Sequence, residues 1–138
     1  MKGTHGTSDV WAFDVDGCLV DSITGTSLRP LARPVLEQLR AQGSTVVLWS
    51  AGGGDYARRR AEAHGIDDLV HAFYDKDGRG ADGRYLIDHL ADEHRPGVCV
   101  DDHPEEMPAD VDIVGVAPYL AHNPHDLGLA ALLERIGT

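Results

Sequence analysis

Val10-Trp11-Ala12-Phe13-Asp14-Val15-Asp16-Gly17 is an apolar run that ends in two alternate carboxylates and a glycine. An apolar run this short reads as a strand buried on both faces, the kind found inside a parallel sheet. Asp14 and Asp16 then stand at its carboxyl end, and Gly17 lets the chain turn sharply away. Carboxylates this close repel unless one keeps its proton or a cation lies between them. A hard divalent cation such as Mg²⁺, which prefers oxygen ligands, relieves the repulsion. The alternative is a capped strand end with solvated aspartates, and the rest of the chain bears on that choice.

Beyond this stretch, apolar runs alternate with helical stripes. Residues 18–29, rich in Ser, Thr and Gly, read as a loop with room for a small hairpin. Val35, Leu36 and Leu39 share one side of a helix that Pro34 opens and Gly43 closes. Residues 45–49 form a second buried strand, which ends at Ser50 and the loop Ala51-Gly52-Gly53-Gly54. Asp55 can cap a helix that runs to His64 and stops at Gly65. Residues 69–74 give a weaker third strand before Lys76. A helix over residues 82–94 presents Leu86, Ile87 and Leu90 and must end before Pro96. Residues 98–100 form a fourth strand running into Asp101 and Asp102, and residues 111–116 a fifth. The last helix opens at Asn123 with Pro124 inside it and carries Leu129, Leu132, Leu133 and Ile136.

This alternation predicts an α/β fold: a doubly wound, Rossmann-like parallel sheet of five strands with helices on both faces. One domain over residues 10–138 is expected, behind a loose polar tail at residues 1–9. The chain of 138 residues is long enough for a real core, and it contains no repeat or linker. No apolar run approaches the roughly 18 residues that cross a bilayer. The polar first residues lack the apolar centre of a signal peptide, so a cytoplasmic protein is expected. Cys18 and Cys99 are too few for a disulfide framework and read as reduced thiols. A net charge of −11 argues against nucleic acid as a partner. Arg58, Arg59 and Arg60 read as a solvated helix face.

In an open parallel sheet the carboxyl ends of the strands share one edge, where ligands bind. Asp14 and Asp16, Ser50, Lys76, and Asp101 with Asp102 would therefore meet in one crevice. Such a set meets the physical needs of phosphoryl transfer. A carboxylate can serve as nucleophile, and a metal offsets the mutual repulsion of carboxylate and phosphate. A hydroxyl, backbone N–H groups and an ammonium can hold the phosphoryl oxygens. A second acid can protonate the leaving oxygen. Arg79 or Arg84 replaces Lys76 in this role if the third strand is shifted.

These residues resemble the haloacid dehalogenase (HAD) superfamily, whose four motifs occur here in order. They are Asp14-Val15-Asp16-Gly17, then Val47-Leu48-Trp49-Ser50, then Lys76, then Val98-Cys99-Val100-Asp101-Asp102. The resemblance implies a Mg²⁺-dependent phosphatase acting on a phosphomonoester, with Asp14 as nucleophile and Asp16 as general acid and base. It implies Mg²⁺ held by the Asp14 side chain, the Asp16 carbonyl and Asp102, with Asp101 beside it touching Lys76 or a metal-bound water. Ser50, Ala51, Gly52 and Lys76 would grip the phosphoryl group. Cys18 stands where relatives usually have threonine. His103 either touches substrate or is merely exposed, and His122 and His125 are assigned no metal.

The spacings between motifs leave no room for a cap domain, so the resemblance is to the capless type. An uncapped site takes a bulky substrate or is roofed by a second subunit in a homo-oligomer. The substrate expected is a small-molecule or bulky phosphomonoester, with a polynucleotide or nucleotide end as the alternative. A receiver domain of a signalling relay, the non-enzyme alternative, has its acidic pair after the first strand and its phosphorylated aspartate after the third. Here Asp-x-Asp opens the set and Asp-Asp closes it.

Overall fold

The structure is a computed structural model that describes residues 9–137. The tail expected over residues 1–9 therefore lies, apart from Asp9, outside the described residues. Five strands form one sheet: β1 (Val10–Phe13), β2 (Thr45–Ser50), β3 (Ala72–Asp75), β4 (Val98–Asp101) and β5 (Asp112–Gly115). Three helices accompany them: α1 (Ala32–Ala41), α2 (Gly54–Ala63) and α3 (Ala130–Gly137). All strand pairs are parallel, in the order β3-β2-β1-β4-β5. The expected α/β sheet is what forms, and no cap is inserted among the described residues. No described helix is long and apolar enough to cross a membrane.

The two faces of β1 show why its sequence is continuously apolar. Trp11 and Phe13 face a core that includes Val35, Leu36 and Leu39 of α1, Ala57 and Ala61 of α2, and Leu132 and Ile136 of α3. Ala12 faces the other way, into a smaller core with Trp49, Leu90, Cys99 and Met107. All three helices thus cover one face. The other face lies under irregular chain, because the helix expected over residues 82–94 does not form. Residues 78–86 instead make a small hairpin. Gly80 donates to Arg84 O at 2.9 Å and Leu86 to Gly78 O at 3.2 Å, with Gly83 at φ +81° in a turn. Tyr85 N–H then reaches Glu106 O at 2.8 Å. These hairpin bonds and the longer link to Glu106 outweigh a weak helical stripe, leaving only a 3₁₀ turn at Asp92–His94.

The last helix also starts late. Asn123 Oδ1 accepts the N–H of His125, and Asp126 Oδ1 that of Gly128. These local side-chain bonds divert the backbone from helix until Ala130. In α2 the cap is Gly53 and not Asp55. Asp67–Leu69 is a 3₁₀ turn, so β3 begins later than expected. Cys18 and Cys99 are free and buried.

The loop between β1 and α1 is pinned rather than loose. Asp21, 1% exposed, accepts the N–H and hydroxyl of Thr24 at 2.7 and 2.8 Å and the N–H of Ser27 at 2.9 Å. Burial alone would raise its pKa, but these donors and Gly25 N–H outweigh it and pull the carboxyl down to about 2. A depressed carboxyl contributes stability that is complete above its unfolded value and is lost as pH falls through the folded one. The melting temperature is therefore expected to fall between about pH 4 and pH 2, and less steeply in Asp21→Asn. Parallel melting curves for the two proteins over that range would contradict this.

Candidate active site

The strand order reverses between β1 and β4, and Asp14 and Asp101 stand on either side of that point. Asp14 N–H bonds Val100 O at 3.0 Å, which fixes the first carboxylate just past the sheet edge. The chain then turns at Gly17, at φ +80°. A Cβ there would run into the Asp102 carboxylate, so glycine is required both for the turn and for the close approach. Cys18 is fully buried, its Sγ 3.8 Å from Val100 O. Burial first, and the nearby carboxylates second, push its thiol well up. Cys18 therefore packs in the core and does not line the cleft.

Lys76 Nζ lies 2.9 Å from Asp14 Oδ1 and 2.7 Å from Asp101 Oδ2. Its side chain is 5% exposed and Asp101 is 1% exposed, so this ion-paired group is nearly dry. Burial opposes the lysine's charge, yet the two aspartates outweigh it and raise its pKa above the usual lysine value. Asp14 is raised well above the carboxylate range, mainly by burial, with Lys76 opposing and Asp101 and Asp102 adding to it. Asp101 is raised by burial too, although Lys76 and the His103 N–H at 2.8 Å favour its anion. Of the three cations weighed from the sequence, Lys76 alone meets these carboxylates. Arg79 bonds Gly83 O and Tyr85 Oη, and Arg84 bonds Met107 O.

Asp14, Asp101 and Asp102 each offer a carboxylate oxygen, and the three oxygens lie within 4.8 Å of one another. Asp102 Oδ1 is buried without a hydrogen-bond partner among the described residues. A carboxylate oxygen shut away from water and unpaired is costly unless a cation meets it. An all-oxygen set of this kind suits Mg²⁺, so the donors present fit that ion.

Ser50, 2% exposed at the end of β2, accepts Gly52 N–H on its Oγ at 3.0 Å. Its carbonyl takes Gly53 N–H at 3.1 Å and Lys76 N–H at 2.9 Å, joining the glycine loop to the lysine. Gly53, at φ +107°, turns the loop into α2. Asp14, Asp16, Ser50, Ala51, Gly52, Lys76 and Asp102 all line one cleft of about 360 Å³. Asp101 stands behind that lining, against Lys76. Every residue singled out for the site is thus brought together. His103 lines the cleft as well, with its side chain 59% exposed, whereas His122 pairs with Ser27 Oγ at 2.7 Å.

Two contributors escape the sequence reading. Tyr56, in the first turn of α2, donates its hydroxyl to Asp16 Oδ1. Burial first and that bond second push the phenol up to about 12. Arg29, fully buried, bonds the carbonyls of Gly17 and Cys18 behind the site and pairs with Asp126. A tyrosine near the start of a helix that leaves the glycine loop is the one sequence cue to the first. No local cue marks the second. No protein-family model matches the chain, and no curated protein does.

Proposed function

We propose that this chain is a Mg²⁺-dependent phosphohydrolase that removes phosphate from a phosphomonoester through an aspartyl-phosphate on Asp14, in the manner of the HAD superfamily it resembles. The observation that supports this most is Lys76 held between Asp14 and Asp101 at the point where strand order reverses, beside the unpaired oxygen of Asp102. Asp14, the Asp16 carbonyl and Asp102 would hold Mg²⁺, which would offset the charge of carboxylate and phosphate.

The chain's own groups divide the remaining work. An Asp14 oxygen attacks phosphorus while the bond from phosphorus to the alcohol oxygen breaks, and Asp16 gives that oxygen its proton. Asp16 then takes a proton from water as the water oxygen attacks phosphorus. The bond from phosphorus to Asp14 breaks, returning the carboxylate and releasing inorganic phosphate. Lys76, the Ser50 hydroxyl and the Ala51 N–H hold the phosphoryl oxygens, the Gly52 N–H holds the Ser50 Oγ in place, and Tyr56 orients Asp16.

A panel of phosphomonoesters assayed for phosphate release with Mg²⁺ tests the reading. Release from at least one ester is expected, with loss in excess chelator. Asp102→Asn is expected to raise the Mg²⁺ requirement roughly tenfold or more, as changes at metal sites commonly do. Full activity in chelator, or an unchanged Mg²⁺ requirement in Asp102→Asn, contradicts it.

A further inference from the structure

The charges of the cleft are unevenly matched. Its lining carries Asp14, Asp16, Asp102 and Glu106 against one lysine, Lys76. That ammonium is already held by Asp14 at 2.9 Å and Asp101 at 2.7 Å. Arg79, near the rim, spends its guanidinium on Gly83 O and Tyr85 Oη, faces Glu106 at 3.7 Å and stacks on the Tyr85 ring. The ring nitrogens of His103 lie 3.6 Å from Asp102 and 3.6 Å from Glu105.

Beside Ser22 and His103, part of the wall is apolar. Leu120, Pro118 and Tyr85 line it, and Leu120 is 58% exposed. Ile23, 72% exposed, is tied beside it by its N–H to Leu120 O at 3.1 Å. A large aliphatic side chain standing in water on the wall of the cleft, Leu120, favours a ligand that covers it.

This inference rests on the phosphatase reading. Once Lys76 and a divalent cation serve the phosphoryl oxygens, no cation among the described residues of the cleft lining remains, His103 aside, for a second anionic group. We propose that the site takes phosphate monoesters of alcohols with an apolar body and no second anion, the alcohol lying against Leu120, Pro118 and Tyr85. Nucleic-acid ends, nucleoside polyphosphates and bisphosphates fall outside that class.

Phenyl phosphate and 4-carboxyphenyl phosphate, compared with Mg²⁺ present, differ by one carboxylate. The carboxylated ester has the better leaving group, so chemistry alone favours it. The expected result is nonetheless a kcat/KM for phenyl phosphate roughly tenfold or more higher, because like charges brought together are strongly disfavoured. Leu120→Arg, at an exposed position that leaves folding undisturbed, is expected to narrow that ratio. Equal or better hydrolysis of the carboxylated ester, or an unchanged ratio in Leu120→Arg, overturns the substrate class alone. Hydrolysis of no ester across the wider panel overturns the phosphatase reading and this inference with it.

Discussion

Asp14→Asn is expected to lower phosphate release by roughly 10⁴-fold or more, the scale of losing a covalent nucleophile. An amide nitrogen and oxygen cannot supply the anion that attacks phosphorus. The fold should survive, because Asp14 is one of three carboxylates crowded against a single lysine and burial already disfavours its charge. Removing that charge leaves Lys76 paired with Asp101 at 2.7 Å. The melting temperature of the variant should therefore stay at or above that of the wild type without Mg²⁺. Wild-type rates from cleanly purified Asp14→Asn protein would refute the nucleophile assignment.

The largest stability effect is expected at Arg29. Its side chain is 0% exposed, with Nε 2.8 Å from Asp126 Oδ1. One terminal nitrogen donates to Ala117 O at 2.6 Å, and the other lies 3.3 Å from Cys18 O. The guanidinium stands over the Tyr119 ring, 5.5 Å from its centroid. Three chain segments thus converge on one side chain: the turn after β1, the segment after β5 and the approach to α3. Arg29→Met leaves Asp126 without its partner and strips those carbonyls of donors. A cost of about 3–5 kcal/mol is expected for breaking such a buried pair, or roughly 10–20 °C in melting temperature. Arg29→Lys should recover only part of this, since a point charge cannot reproduce the planar fork. Gly128→Ala should also destabilise, because a Cβ there would run into the guanidinium. An Arg29→Met protein within about 1 kcal/mol of wild type would contradict the account.

Legibility from the sequence follows the range of the forces involved. Strands buried on both faces read directly as apolar runs, and a parallel sheet puts all their carboxyl ends on one edge. Asp14, Ser50, Lys76, Asp101 and Asp102 could therefore be grouped without knowing the order of strands. Residues 82–94 misled because Leu86, Ile87 and Leu90 carry helical spacing, yet Leu86 is 42% exposed and the hairpin's bonds run to Gly78 and Glu106. Arg29 reads as the end of a loop because its partners, Ala117 and Asp126, lie 88 and 97 residues away. Tyr56 stands out little in the sequence because its contact with Asp16 spans 40 residues and depends on how α2 leaves the glycine loop.

The central claim is that phosphate passes through Asp14. The direct test mixes the full chain with phenyl phosphate and Mg²⁺, quenches in acid within the first turnover, and maps the protein by mass spectrometry. A single phosphoryl group on Asp14, absent from Asp14→Asn and from samples quenched after the ester is exhausted, is the result predicted. Phosphate release with Asp14 unmodified at every quench time would contradict it.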